Sequence, residues 1–522
     1  MSAATKLRGS AGRPKTPRVA VIGAGPGGLA AAMLLARAGL QPIVFERSPC
    51  VGGRTRTLVT DGGFRFDLGP TFFLYPRVLR EIFDACGARL EDHVQLKRLD
   101  PIYRLVFEAG GQLDVEADPA RLTRAIGRIA PADARNLVPY LVENRRKLEV
   151  FAPALGRPFH RLLDYLAPDF IRALPWLRPF RSVDADLARH FADPRIRLAF
   201  SFQSKYLGMS PFRCPSLFTI LAFLEHEHGV FHPIGGCGAV SEAMARVARR
   251  LGAEFRLGAE VEGIDFEDGR PAAVRAGGET MPVDAVVLNG DFRHAAPRLV
   301  PEAYRPRWHD RRLNKARLSC STFMLYLGIE GEVRGLPHHS ILLARDYARN
   351  IKEIEAGHLP AEPSLYVQHA GATDLAMAPP GHTSLYVLVP VPNLRAGVDW
   401  RQTTPVYRKL VLQRLELLGI RDIEHRIRFE RVVTPQDWQD EFAVGEGATF
   451  SLAHDFGQML YFRPHNRLGP GLYLAGGGTH PGSGLPVIYE GARISTRLLL
   501  EDLGMPLPSV LPDAPNVWEA AA

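Results

Sequence analysis

The first ordered pattern in the chain is RVAVI (18–22), an apolar, β-branched run that reads as a strand buried on both faces. GAGPGGLAAAMLLARAG follows, and its alanine- and leucine-rich stretch to Ala38 predicts a helix stopped at Gly39. PIVFE then predicts a second apolar strand ending at Glu46. Alternation from Thr55 to Asp67 around Asp61-Gly62-Gly63 predicts a hairpin. Residues from about 100 to 230 read as a long insertion, strand-like in YRLVF and QLDVE and helical afterwards. At Gly235-Gly236-Cys237-Gly238 a helix begins (AVSEAMARVARRLGA), followed by strand patterns in EFRLG, EVEGIDFE, AAVRAG and DAVVLNGD. STFMLYLGI and SLYVLVPV are long strands of a second excursion, and GLYLAGGGTHPGSGLPVIYEGARISTRLLLEDLG predicts strand, glycine loop and helix.

This order predicts an α/β protein with a Rossmann-type dinucleotide-binding domain in three pieces (18–100, 233–298 and 446–505) and an α+β substrate domain inserted as 101–232 and 299–445. Residues 1–17 read as a flexible leader without an apolar signal core, and 506–522 as a loose tail. The weakly charged run Val19–Leu40 is long enough to suggest a membrane span, but its glycines and Pro26 argue against one. Within 522 residues, 46% hydrophobic and 23% charged content excludes wholesale disorder. The net charge of +8 is too diffuse to predict a nucleic-acid partner. Five scattered cysteines form neither a disulfide framework nor a zinc site, and no metal is expected.

The chemistry starts at Gly23, Gly25 and Gly28, which satisfy G-x-G-x-x-G between strand and helix. Gly23 permits the tight turn, Gly25 lets the backbone approach a pyrophosphate, and Gly28 lets helix and strand pack closely. Glu46, 23 residues after Gly23, is spaced to accept hydrogen bonds from ribose hydroxyls. Gly52, Gly53 and Arg54 then give an E-x5-G-G-R arrangement that resembles FAD-dependent amine oxidases, protoporphyrinogen oxidases and carotenoid desaturases, so FAD is the expected cofactor. No second strand–GxGxxG–helix occurs, which leaves oxygen or a membrane quinone as the expected electron acceptor.

FDLGPT (66–71), HGVFHPIGG (228–236), DAVVLNGD (284–291), LPHHS (336–340), TDLAMAPPGHTSLYVLVPVPN (373–393) and GGGTHPGSGLP (476–486) together resemble the bacterial-type phytoene desaturases, across residues 19–503. The resemblance implies the fold of the amine oxidase and GDI kind. It implies FAD contacts from Gly23, Ala24, Gly25, Pro26, Gly27, Gly28, Glu46, Arg47, Gly53, Arg54, Gly69, Pro70, Thr71 and Val261. In the C-terminal loop it implies contacts from Gly478, Thr479, His480, Gly482, Gly484, Leu485 and Pro486. The implied substrate is an isoprenoid hydrocarbon of thirty to forty carbons, dehydrogenated with oxidised flavin as the electron sink and a weak base taking the neighbouring proton. Glu225 and His232, in LEHEHGVFHPIGG, are the expected catalytic groups, set against an ordinary structural role at a domain junction. VIYEGARIS after Pro486 departs from the lycopene-forming pattern at Tyr489 and Glu490. A carotenoid oxygenase, ketolase or isomerase, or a non-catalytic prenyl-binding module, therefore stays open.

Such a substrate does not travel through water. Exposing even fifteen of its CH2-sized groups costs on the order of 12 kcal/mol. Leu141–Arg181 holds eight basic residues (Arg145, Arg146, Lys147, Arg157, Arg161, Arg172, Arg178, Arg181) against four acids, interleaved with Phe151, Phe159, Tyr165, Phe170, Trp176 and Phe180. It predicts a monotopic contact with an anionic membrane surface, and a cytoplasmic protein peripheral on the cytoplasmic membrane. Oligomeric state is not legible.

Overall fold

The computed structural model describes residues 16–506. The leader lies outside them up to residue 15, as does the tail from residue 507. The apolar run Arg18–Ile22 lies inside a six-stranded sheet, between Gln41–Glu46 and Ala285–Leu288. Glu254–Leu257 flanks the first of these, and Leu472–Leu474 followed by Arg467–Gly469 flanks the second. All pairings are parallel except the last, an antiparallel edge.

Both faces of this sheet are covered, so its strands have no polar side to show. Val19, Val21, Val44 and Val287 pack toward the helices Pro26–Arg37, Cys237–Arg250 and Leu485–Leu503. Ala20, Ile22, Ile43, Phe45, Val286 and Leu288 face the other way, toward the helix Phe292–Leu299 and a three-stranded antiparallel sheet beginning with Val261–Glu267. The α/β class expected from the alternation is therefore the one found.

The second large sheet has seven strands, in the order Ile427–Val433, Ser321–Glu330, His382–Val391, Leu365–Gln368, His339–Leu343, Tyr103–Phe107 and Gln112–Val115. One face packs on the helix Trp400–Leu415. From the other, Met324, Ile341, Leu343 and Leu388 point into a cavity that reaches the first sheet. A helical block closes that cavity through Phe151 and Leu155 of the helix Leu137–Leu155 and through Ile220, Leu221 and Leu224 of the helix Ile220–His228.

The basic and aromatic content of Leu141–Arg181 is distributed differently from the sequence expectation. Lys147 is fully buried, its Nζ 2.9 Å from Asp186 Oδ2 and 2.8 Å from Thr219 Oγ1. Arg145, Arg157 and Arg178 pair with Glu227, Asp169 and Asp186 respectively. Phe151, Phe159 and Phe170 are core residues. The exposed apolar groups are instead Leu162, Leu163, Leu166, Ile171, Leu174 and Phe180, with Arg161, Arg172 and Arg181 exposed among them. A long helix must bury its inner face, and here that face takes the aromatic rings and the paired charges. Among the described residues no helix is long and apolar enough to cross a membrane.

Candidate active site

Gly28 sets the geometry of the first glycine turn. A Cβ on Gly28 would lie 2.0 Å from the Gly23 carbonyl oxygen, so only glycine allows the helix this close to the strand end. Gly23 itself has φ +100°, a conformation that side chains rarely adopt. The helix Pro26–Arg37 starts from Gly25 with no side-chain cap and Pro26 in its first turn. Its leading N–H groups therefore stand open toward the cavity, a ready anion site.

The Glu46 carboxylate accepts hydrogen bonds from Ala24 N at 2.8 Å and Ser48 N at 2.9 Å. Held at two points, it keeps lone pairs for hydroxyl donors in the cavity that it lines. Gly53 approaches Gly25 so closely that a Cβ there would be 3.3 Å from Gly25 Cα. The neighbouring Arg54 is half-buried with its guanidinium on the Thr449 carbonyl. Burial pulls Arg54 below its usual pKa, and the facing Asp291 opposes the shift. A narrow backbone cradle with an open helix N-terminus, a half-buried arginine and a fixed carboxylate fits the pyrophosphate and ribose of FAD.

One cavity of about 560 Å³ contains this cradle. Of the residues expected to contact FAD, Gly23, Gly25, Pro26, Gly27, Glu46, Arg47, Gly53, Arg54, Gly69, Pro70, Thr71 and Val261 line it. So do Gly478, Gly482, Gly484, Leu485 and Pro486. Ala24 and Gly28 act from behind the wall, through the Glu46 hydrogen bond and the close helix packing.

Thr479 and His480 are placed away from the cavity. Thr479 Oγ1 donates to the Pro464 carbonyl at 2.8 Å, and His480 Nε2 lies 2.9 Å from the Arg157 carbonyl with its ring against Phe159. The loop turns these side chains inward because fully buried Arg463 holds its carbonyls, with Nη2 to Gly477 O at 2.6 Å and Nε to Thr479 O at 3.0 Å. Burial lowers the Arg463 pKa to about 9. Tyr489 and Glu490 also face away and are buried, with Glu490 3.5 Å from Arg493.

The two expected catalytic groups fare differently. His232 is fully buried in the strand Val230–Pro233, its Nε2 3.2 Å from Asp374 Oδ2, and it does not line the cavity. Asp374 also accepts from Gly235 N at 2.7 Å, so His232 supports the turn that starts the helix Cys237–Arg250. With Gly229 ending the helix Ile220–His228, His228 and His232 share no helix face. Among the described residues no group of three His, Cys, Asp or Glu is placed to hold a metal ion.

Glu225 sits one layer behind the cavity wall. Tyr103 Oη donates to its Oε2 at 2.9 Å and Gln203 Nε2 at 3.1 Å, while Oε1 has no hydrogen bond. Tyr206, which lines the cavity, is in electrostatic reach of the same carboxylate, its own hydroxyl making no hydrogen bond among the described residues. Burial raises the Glu225 pKa to about 7, against hydrogen bonds that lower it. A carboxyl so tuned exchanges protons near neutrality.

Further polar groups order the wall. Tyr386 Oη donates to Gly69 O at 2.8 Å, and Tyr366 joins Thr71 Oγ1 at 2.7 Å to His339 Nδ1 at 2.8 Å. Asn289 Nδ2 donates to Gly23 O at 3.0 Å, locking the DAVVLNGD strand end onto the glycine turn. Thr71, His339, Tyr386 and Asn289 lie in motifs the sequence singled out, whereas Tyr366 carried no signal in the linear pattern.

Comparison with known proteins gives a consistent picture. The family described as flavin containing amine oxidoreductase matches residues 26–499. A 4,4'-diapophytoene desaturase (4,4'-diapolycopene-forming) from Methylomonas sp is 42% identical, covering 93% of this chain and 95% of its own. A neurosporene-forming phytoene desaturase from Rhodobacter capsulatus is 35% identical, covering 97% and 96%. Among solved structures, an oxidoreductase from Methanosarcina mazei superposes with a TM-score of 0.63 at 19% identity over 91% of this chain and 98% of that one. A putrescine oxidase gives 0.59 at 17% identity over 94% and 99%. These likenesses support an FAD-dependent oxidoreductase of the amine oxidase fold.

Replacing Glu46 by Ala should weaken FAD binding roughly ten- to a hundredfold, the worth of charge-assisted hydrogen bonds. Titration of apoprotein followed by flavin fluorescence tests this, and unchanged affinity would remove Glu46 from the cofactor site.

Proposed function

Because the chain belongs to the flavin-containing amine oxidoreductases, and within them to the carotenoid desaturases, we propose that it introduces conjugated double bonds into a linear isoprenoid hydrocarbon of the phytoene or diapophytoene type. The observation that carries this reading is the single cavity running from the glycine cradle onto apolar walls. Phe202, Leu207, Leu217, Leu221, Met324 and Ile341 are among the residues of those walls. A slot of that character binds hydrocarbon by burying its surface and excludes water from the reacting carbons. The relatives' names favour desaturation over a terminal oxygenase, a ketolase or an isomerase.

Each new double bond takes two electrons and two protons from adjacent carbons. FAD, when bound, would supply a hydride acceptor, taking both electrons and one of the protons. The remaining proton is taken by Glu225, which lies behind Tyr206 of the cavity wall. Desolvation tunes this acceptor: its carboxyl is protonated and inert below about pH 7 and becomes competent above it. Tyr103 and Gln203 orient the carboxylate through Oε2. Thr71, Tyr366 and Tyr386 order the wall between cradle and hydrocarbon slot. The electrons leave for oxygen or a membrane quinone.

The substrate enters from a membrane. Leu162, Leu163, Leu166, Ile171, Leu174 and Phe180 form the docking surface, with Arg161, Arg172 and Arg181 for anionic headgroups. The helix Pro168–Leu177 within that surface packs on Leu137–Leu155, whose Phe151 and Leu155 line the cavity.

Co-expression with a supply of phytoene or of diapophytoene, followed by pigment chromatography, tests the activity. New conjugated polyenes are expected, whereas oxygenated products alone, or no change on either substrate, would count against desaturation. Glu225→Gln should lower turnover by about a hundredfold or more and remove the rise in rate through about pH 7, with FAD content as the check on folding. A pH profile retaining that rise would clear Glu225 of the role. Leu163→Glu combined with Leu166→Glu should abolish sedimentation with phosphatidylglycerol vesicles, and persistent sedimentation would place the contact elsewhere.

A further inference from the structure

The cavity wall changes character at one end. Lys205, on the short helix Phe202–Leu207, lines the cavity, and its Nζ makes no hydrogen bond or ion pair with any described residue. Glu355 faces it electrostatically but pairs with Arg213, at 3.9 Å. Cys320 is in electrostatic reach of Lys205 and of Tyr347, whose buried hydroxyl has no hydrogen bond among the described residues. All three line the same cavity.

Strand register places this group away from the cofactor cradle. Tyr386, bonded to Gly69, marks the cradle end of the strand His382–Val391. Leu388 and then Pro390 continue the wall along that strand, opposite Met324 and Thr322 of the neighbouring strand Ser321–Glu330. Cys320 immediately precedes that neighbour. From Tyr386 to Pro390 is four residues of strand, about 13 Å. On the far side of the wall, Leu343 of the strand His339–Leu343 leads to Tyr347 at the start of the helix Tyr347–Glu355.

A pure hydrocarbon would leave a lysine nitrogen and a phenol hydroxyl unpaired in this end of the slot, a costly arrangement with nothing gained. Both groups donate, and both point to an acceptor that the protein does not supply. We propose that this end binds a carboxylate at one terminus of a linear isoprenoid chain, with Lys205 Nζ and Tyr347 Oη as donors. The protein would then desaturate chains already oxidised at one end. Burial lowers the Lys205 pKa, and a bound carboxylate would oppose that shift. This proposal rests on the desaturase reading for the reaction and adds the end group of the substrate. The class of reaction supplying it is oxidation of a terminal methyl group to the acid.

Binding and turnover test it separately in the FAD-loaded protein. In calorimetric titrations, farnesoic acid should bind at least tenfold more tightly than methyl farnesoate, the same chain without the charge. Lys205→Met should abolish that difference, and Tyr347→Phe should reduce it. Turnover is then compared for diapophytoene and for the same chain carrying a terminal carboxylic acid. The ratio of kcat/KM, acid over hydrocarbon, should fall at least tenfold in Lys205→Met, with bound FAD confirming the fold. Equal binding of acid and ester, or a preference that survives Lys205→Met, would overturn the proposal. Palmitate binding as tightly as farnesoic acid would overturn the assignment to an isoprenoid chain. If neither long substrate is desaturated, the desaturase reading fails while the binding titrations still decide the end group.

Discussion

The structure depends on how closely one helix approaches one strand. At Gly28 the helix Pro26–Arg37 comes so near the Gly23 carbonyl that no side chain fits between them. That approach aims the open helix N-terminus at the cavity, and Asn289 clamps the same carbonyl from the third strand of the sheet. Glu46 ties the end of the second strand to Ala24 by its side chain. Strand ends far apart in sequence thus converge on one short turn, and the cofactor cradle is built from their convergence. Parallel strands with both faces buried make such a turn rigid, because moving it would expose apolar surface on either side.

Beyond the cradle the site has to reconcile two solvents. FAD needs fixed charges and donors, whereas a hydrocarbon needs their absence. The wall manages this by placing its polar groups one layer back. Glu225 is held by Tyr103 and Gln203 behind the cavity lining, and His232 is engaged by Asp374 away from it. The glycine loop near Gly478 follows the same rule, with Arg463 fastened to its carbonyls from the protein side. Lys205 and Tyr347 break the rule, since they line the cavity and their donors have no partner among the described residues. Departures of this kind mark where a ligand completes the hydrogen bonding.

Much of the local structure was legible in order along the chain. The strands at Arg18–Ile22, Gln41–Glu46 and Ala285–Leu288 fall where uninterrupted apolar runs predict them. The hairpin from Thr57–Val59 to Arg65–Asp67 turns at the predicted glycines. Long β-branched runs and glycine punctuation are local signals, and local signals survive folding. The basic, aromatic stretch Leu141–Arg181 was misleading because composition does not say which face of a helix a residue occupies. Lys147 reads as a surface charge and lies in the core, since Asp186 and Thr219 meet it from other segments. Thr479 and His480 belong to a conspicuous motif, yet their side chains fasten the loop to Pro464 and Arg157.

The sequence alone was sufficient for the α/β class, the dinucleotide turn and FAD as cofactor. The turn rests on glycine, apolar and acidic positions within one strand–turn–helix–strand unit of short span, the class on the order of elements along the chain, and FAD on the resemblance carried by Glu46, Gly53 and Arg54. Tertiary structure decided which polar groups reach the cavity, which stand one layer behind it, and where the exposed leucines lie. Those outcomes depend on pairings between residues tens to hundreds of positions apart, such as Tyr103 with Glu225 or Thr71 with Tyr366. Burial and partnership are properties of the packed chain, so no local pattern encodes them.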